Sequence, residues 1–457
     1  MSTGTRLGSP TSPEATVRTP GAARQIAVLG LPMLLGAISS TMSGVVDTAM
    51  MGHYGTADLA AVSGTSAVFD VFSAVVLASL VAHQVLTARF AGRGDPPGIL
   101  RSLRQSALWC GGTAVLLTLA CELLGGPLTA LVTDGRPRLG RIGAGYLAAR
   151  GPTLLLLVPF GLLVAVFNAY KRPCYAVTAG MAVNIVNLLL DWLLIYGPGP
   201  FPRLGATGNG LATTLAWGAG TVWLAVAARR FGLRGLLRGP GPAEPPDFET
   251  SVPRLAWPSV VSSALDYASM AVFFTIIAGL GEAALAGGRI AFEVQVLIFG
   301  VGSAFAAAVR VLIGRAAGAG QGAETRRLWR SGRLVLLGPG LLIGLLLAAV
   351  PGACSRPFTS SPVVLGQAAQ AMPLIALCVP LMAWTLGNVS LIRALGRTRL
   401  DMYANLASAL CVQLPVGWLL AGPAGLGIPG AYTGLVAYWC ARALFTEIAA
   451  RRLQQAG

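Results

Sequence analysis

Residues 85–94 read VLTARFAGRG, and residues 311–320 read VLIGRAAGAG. The second stretch follows the first at an offset of 226, close to half of the 457 residues. Arg89 falls on Arg315, Gly92 on Gly318 and Gly94 on Gly320. The same offset places Pro32 on Pro258, Gly55 on Gly281, Leu59-Ala60 on Leu285-Ala286, and Trp192-Leu193-Leu194 on Trp418-Leu419-Leu420. Ala and Leu coincidences carry little weight in so apolar a chain. Pro, Arg, Trp and a Gly-x-Gly pair at one constant offset mark an internal duplication. A duplicated bundle of membrane helices is the ground plan of a transporter, with a site between the halves.

Composition points the same way. The chain is 54% hydrophobic and 11% charged, with a mean hydropathy of +0.69. A soluble domain carries about 25% charged residues, so this chain could not cover a water-facing surface. Each membrane-crossing helix needs roughly 20 apolar residues. The pattern predicts twelve, near 26–51, 58–86, 105–131, 144–169, 175–197, 207–228, 253–279, 286–313, 333–352, 365–390, 403–421 and 428–450. The expected fold class is all-α: a polytopic membrane protein with 12 transmembrane helices in two six-helix lobes. Residues 1–22 read as a disordered cytoplasmic tail, without the apolar core of a cleavable signal peptide. The N-lobe is then 23–228 and the C-lobe 252–452. Between them, RRFGLRGLLRGPGPAEPPDFETS at 229–251 reads as a cytoplasmic linker. Six helices return the chain to its starting side, so the repeats are parallel and related by a pseudo-twofold axis along the membrane normal.

A net charge of +16 would suggest nucleic acid in a soluble protein. Here its distribution suggests topology instead. With the N-terminus in the cytoplasm, 26 of the 33 Lys and Arg residues fall in the cytoplasmic tail and loops or at the adjoining helix ends. That is the positive-inside bias of a plasma (inner) membrane protein with both termini in the cytoplasm. No nucleic-acid partner is expected. Seven scattered Cys without a CxxC pair read as small apolar packing residues. Two His and no HExxH give no metal centre, and Lys171, the single Lys, lies outside any phosphate-binding loop. No resident cofactor is expected, and uphill transport would draw on an ion gradient. A membrane enzyme such as a prenyl transferase would need clustered loop Asp for Mg²⁺, and none occurs, so the chain does not read as an enzyme.

Acids inside the spans carry the sharpest signal. A charged group at mid-bilayer costs about 2.5–3.5 kcal/mol on insertion scales, so it faces a cavity or a partner. Candidates are Asp47, Asp70, Glu122, Asp191, Asp266 and Glu293. Asn184, Asn187 and Asp191 are spaced i, i+3, i+7 and share one helical stripe. A carboxyl group out of water beside an amide is what a proton-coupled carrier needs; a polar knot fixing helix packing is the plainer alternative. Asp47 lies in VVDTAMMGH near the outer end of span 1, where it could instead cap the following turn. Asp266 lies eight residues after Pro258, deep in span 7, and forms with Glu293 a second candidate site in the C-lobe. Asp70, Glu293 and Glu122 lie nearer the outer ends of their spans. In repeat register Asp47 meets Phe273, Asp191 meets Gly417, Asn187 meets Gln413 and Asp266 meets Ser40. The halves share a scaffold but not their acids, which centres cation coupling on the N-lobe.

These residues resemble the multidrug and toxic compound extrusion (MATE) family, in its DinF-like branch. The resemblance covers roughly 24–450. It rests on LGLPMLLG, VVDTAMMGHYGTADLAAVS, NIVNLLLDWLLIYGPGP, GATGNGLATT, VRVLIGRAAGAG and RALGRTR. It implies two lobes forming a V, and efflux of amphipathic, often cationic compounds in exchange for H⁺ or Na⁺. It implies cation coupling at Asp47 and Asp191, assisted by Asn187, with Asn184 on the same stripe, and by a span-6 Thr that Thr213 matches. Asp266 stands where many relatives carry a span-7 Glu. The span-10 Asp of the Na⁺-coupled branch has no counterpart between Leu365 and Ser390. NAYKRP replaces a Gly-x-Thr-Arg turn, and Ser43 stands where some relatives have Tyr. The expected partners are small amphipathic substrates and the lipid bilayer, and the expected state is a monomer. A flippase for lipid-linked saccharides is the alternative; it would carry a cationic cavity, whereas the Arg here concentrate at the cytoplasmic side.

Overall fold

The computed structural model describes residues 21–455, apart from 134, 135, 243, 245, 353 and 360, and not the side chains at 39–43, 45, 56, 131, 132 and 236. The expected tail lies outside the described residues through position 20. Every regular element described is helical. The N-terminal half runs α1 (Ala22–Tyr54), α2 (Thr56–Arg93), α3 (Pro96–Leu123), α4 (Pro137–Ala169), α5 (Pro173–Tyr196) and α6 (Ala206–Arg230). The second half runs α7 (Val252–Ala278), α8 (Glu282–Gly318), α9 (Gly322–Ala349), α10 (Pro362–Ala394), α11 (Thr398–Ala421) and α12 (Gly427–Gln455). Twelve membrane helices in two sets of six are thus present. Ten are long and apolar enough to cross a bilayer on composition alone. Of the other two, α12 is more polar because it carries Arg442, Glu447, Arg451 and Arg452.

Boundaries depart from expectation where local chemistry intervenes. The third helix was expected from 105 but starts at Pro96. Asp95 caps it by accepting the Gly98 N–H at 2.8 Å, with Pro96 and Pro97 in the first turn. It stops at Leu123, and a short helix at Gly125–Val132 completes the stretch. The fourth is interrupted at Gly151-Pro152, giving Pro137–Arg150 and Thr153–Ala169. The ninth begins at Gly322, eleven residues before the apolar run expected to open it.

The repeated Gly-x-Gly has a physical reading in both copies. Gly94 (φ 67°) and Gly320 (φ 70°) take the left-handed conformation that ends α2 and α8. Each turn closes through the same six-residue bond, Asp95 N–H to Phe90 O and Gln321 N–H to Ala316 O, both at 2.9 Å. The preceding Gly lets the two helices cross. A methyl on Gly92 would stand 1.9 Å from the carbonyl oxygen of Arg315, and one on Gly318 would stand 1.9 Å from that of Arg89. Nearby, Arg310 Nη2 donates to Gln84 Oε1 at 2.9 Å. In each contact the partners are repeat mates, or neighbours of repeat mates, so the pseudo-twofold axis passes through this crossing.

The first and last described helices both end here, since Ala22, Ile26 and Ala450 share one apolar cluster with Ile313 and Trp329. The lobes meet here. Leu86, Phe90 and Phe167 pack with Val252 and Leu255. The linker lies across the seam: Phe248 stacks under the Arg89 guanidinium at 3.7 Å, and Arg93 donates to Glu244 O at 2.9 Å. Each lobe also has its own core, around Phe69, Leu80 and Leu157 in the first and around Phe273, Met372 and Tyr432 in the second.

Candidate functional site

Span α5 turns one stripe inward, and Asp191 on it is fully buried. Asp47 approaches from α1, half-buried. Their carboxyl groups lie side by side, and among the described residues Asp47 Oδ1 and Asp191 Oδ2 are buried without a hydrogen-bond partner. Ionised carboxylates only accept, so the two can bond each other only when one of them carries a proton. The other Asp191 oxygen accepts from Asn209 Nδ2 at 3.0 Å. Asn209 is on α6, whose first turn is clamped by a hydrogen bond from Thr213 Oγ1 to the Asn209 carbonyl at 3.0 Å. Gly210 allows α6 this close to α4, since a methyl there would meet Tyr146 O at 2.7 Å.

The structure thus brings Asp47 and Asp191 together, with Thr213 one step removed. Asn187 is buried one turn before Asp191. Asn184 lies a further turn away, on the wall of a cavity of about 220 Å³ with Pro32, Phe160, Asn168 and Trp217. Besides the Asn187 expected on its own helix, an amide on the neighbouring helix, Asn209, hydrogen-bonds Asp191. The sequence offered that residue in GATGNGLATT, but spacing within one helix cannot reveal a partner on another.

Arg150 is the residue sequence reading missed. Counted as an outer-side charge, it ends the first segment of α4 inside the lobe. It donates to the Tyr146 hydroxyl and stacks over Phe69 at 4.6 Å. Asp47, Asp70 and Asp191 all lie within electrostatic reach of it. Arg310 and Arg442 likewise sit within the bundle rather than in loops. Asp70 and Glu122 are exposed.

In the C-lobe, Asp266, exposed toward a cavity, heads a relay that runs inward through buried side chains. Its Oδ1 accepts from Asn405 Nδ2 at 2.8 Å, and Tyr438 donates to Asn405 Oδ1 at 2.8 Å. Arg442 donates to the Tyr438 hydroxyl and pairs with Asp401 at 3.3 Å, and Asp401 pairs with Arg393 at 2.6 Å. Asp266, Phe292, Gln295, Gln413 and Trp439 line a cavity of about 350 Å³. Glu293 is exposed on α8 and takes no part in the relay. Part of this cavity wall is a wide i→i+5 turn at Ala409–Gln413 within α11. The repeat-related stretch of α5, 183–187, is ordinary α-helix. The halves therefore diverge in backbone as well as acids where their cavities form. Such wide turns concentrate at functional sites. Among the described residues no cluster of His, Cys, Asp and Glu could hold a metal ion.

Outside the membrane, Glu249 caps the start of α7. The Ser251 N–H donates to it at 2.8 Å and Arg254 pairs with it at 3.3 Å. The backbone N–H of Ser251, then Arg254, hold its carboxyl below the usual range.

The MatE family model matches this chain twice, over residues 32–193 and 258–419, two segments separated by the offset of the internal repeat. A probable multidrug resistance protein NorM of Thermotoga maritima is 26% identical over 429 residues, covering 91% of this chain and 89% of its own length. A second, from Caulobacter vibrioides, is also 26% identical, over 422 residues. Among solved structures, the Vibrio cholerae MATE transporter VcmN in the bent form superposes with a TM-score of 0.82 at 22% identity, covering 95% of this chain and 97% of that one. An outward-facing multidrug resistance MATE family transporter of the MOP superfamily superposes with a TM-score of 0.85 at 18% identity, over 96% and 97%. At such identities the superpositions establish the fold.

Proposed function

The chain belongs to the MatE family, and on that premise we propose that it is a secondary efflux antiporter that exports amphipathic, often cationic compounds in exchange for protons. It is a multi-pass membrane transporter rather than an enzyme. The finer reading rests on one observation: two neighbouring carboxyl groups, one fully buried, each keep an oxygen out of water without a hydrogen-bond partner, an arrangement that a shared proton would satisfy. The exchange is written for H⁺ rather than Na⁺ because Arg150 already supplies a fixed cation beside these acids. A metal cation would have to enter against it.

With the termini in the cytoplasm of a bacterial-type inner membrane, the α2–α8 crossing closes the cytoplasmic end and leaves access from outside. A proton taken up between Asp47 and Asp191 draws α1 onto α5 and favours the packing that releases cargo outward. Parting of the crossing then opens the other side, where the proton leaves. A ligand drives such a change only through unequal affinity for the two states. The carboxyl pair supplies that inequality, because a proton can bridge the two groups only when α1 and α5 are close.

A saccharide flippase would want a cationic cavity. Among the residues lining the two lobe cavities the only basic side chain is Arg442, and it is paired with Asp401. Vesicle efflux of a fluorescent cation, under imposed pH and Na⁺ gradients in turn, tests the proposal. Efflux that ignores the pH gradient and follows Na⁺ refutes proton coupling, and no efflux under either gradient refutes the antiporter reading.

A further inference from the structure

A third cavity, of about 360 Å³, opens at the terminus end of the N-lobe, where α3 begins and α6 ends. Four of its lining residues are arginines, Arg104, Arg229, Arg234 and Arg238, and among the described residues no acid lines it. The rest of the wall is apolar, with Leu233 and Leu237 buried at its base. Many arginines at this end are engaged: Arg101 with Asp95, Arg254 with Glu249, Arg327 with Glu324, Arg393 with Asp401 and Arg451 with Glu447. The four in the cavity are exposed, and among the described residues none has an ion pair, hydrogen bond or ring contact. Four unneutralised guanidiniums converging on one hollow repel each other unless an anion joins them.

We propose that this cavity is a binding site for the headgroup of an anionic phospholipid. Three features select a lipid over a soluble anion. The site lies where two spans leave the bilayer, the depth at which phosphodiesters sit. Its leucine floor offers an apolar surface to the glycerol and upper acyl chain. Guanidiniums also bind phosphate oxygens in bidentate pairs, and four of them suit a headgroup carrying one or two phosphates. Leu233 and Leu237 belong to the apolar cluster that joins both lobes through Val252 and Leu255. A headgroup bridging Arg104 on α3 to Arg234 and Arg238 therefore ties the linker to the N-lobe and stabilises the closed terminus end.

The test uses the full chain in phosphatidylcholine nanodiscs with and without phosphatidylglycerol. Native mass spectrometry reads retained lipid, and thermal unfolding reads stabilisation. A guanidinium hydrogen-bonded directly to a phosphate contributes about tenfold or more in affinity, so Arg234→Gln with Arg238→Gln lowers retention about 100-fold. Arg326→Gln with Arg330→Gln removes the same charge elsewhere on this face and lowers retention no more than diffuse attraction allows, about 25-fold at most. Arg234→Lys with Arg238→Lys retains lipid at reduced affinity. Equal loss in the cavity and control pairs shows diffuse surface attraction and overturns the proposal. So does equal stabilisation by inorganic phosphate without phosphatidylglycerol, which identifies a soluble-anion site.

Discussion

Replacing Gly318 with alanine puts a methyl carbon 1.9 Å from the Arg89 carbonyl oxygen, where real contacts almost never fall below 3.0 Å. The obstacle is main chain, so no side-chain rotation relieves it; α2 and α8 must part by about an ångström. Overpacking of this kind costs ~1–3 kcal/mol. In a rigid protein that penalty would lower stability. In an alternating-access carrier it falls only on the state in which this crossing is closed. The population ratio then shifts about 5- to 150-fold toward the state open at the terminus end. The assay is alkylation of a single cysteine replacing buried Ala88, in a background lacking the native cysteines, by an impermeant maleimide offered from the terminus side. Gly318→Ala should speed the reaction by a factor in that range. Gly92→Ala should match it, because its methyl meets Arg315 O at the same 1.9 Å. Gly112→Ala, with open space around it, should do nothing. Unchanged alkylation in both crossing variants, with normal expression, would refute the claim that this contact is the gate.

Asp191→Asn and Asp47→Asn should each insert and fold, yet lower proton-driven efflux at least about tenfold, because neither can share a proton across the pair; full-rate efflux in either removes that residue from coupling. Arg150→Gln strips a positive charge from beside the acids. The pH of half-maximal efflux should then rise by about one unit, while Arg150→Lys stays near wild type; identical pH profiles for all three exclude an electrostatic role. Asp401→Asn leaves buried Arg442 and half-buried Arg393 without their carboxylate, a loss of ~3–5 kcal/mol that a fall in melting temperature in detergent should show. Glu249, held below its ordinary pKa by the Ser251 N–H and Arg254, stabilises the start of α7 at neutral pH. That contribution fades as pH falls through the lowered value, so Glu249→Gln should slightly flatten the acid limb of a stability–pH curve, and an unaltered limb means the cap contributes nothing.

The architecture was legible because it is written in averages. Twelve apolar runs, a charge bias and a fixed repeat offset survive errors at single residues. The acids were legible as individuals, since a carboxyl group in hydrocarbon stands out. Their partners were not. Asn209 and Asp191 are 18 residues apart on different helices, and Asn405 and Asp266 are 139 apart; no periodicity links them. Arg150 escaped for a related reason. A charge near a helix end reads as interfacial, and only the break at Gly151-Pro152 shows that this end is inside the lobe. The wide turn in α11 leaves no trace in hydrophobic spacing, because one added residue per turn lies within the scatter of the pattern.

Gln84 and Arg310 occupy one position in the two halves, and they touch. A place on a twofold axis always confronts its own duplicate. Two glutamines could trade amides there, and two guanidiniums would push the helices apart. The bond exists because the copies have become unlike, so each half fits its counterpart better than it fits itself. Expressed as separate polypeptides, the halves should pair as a heterodimer and reject self-association of the second.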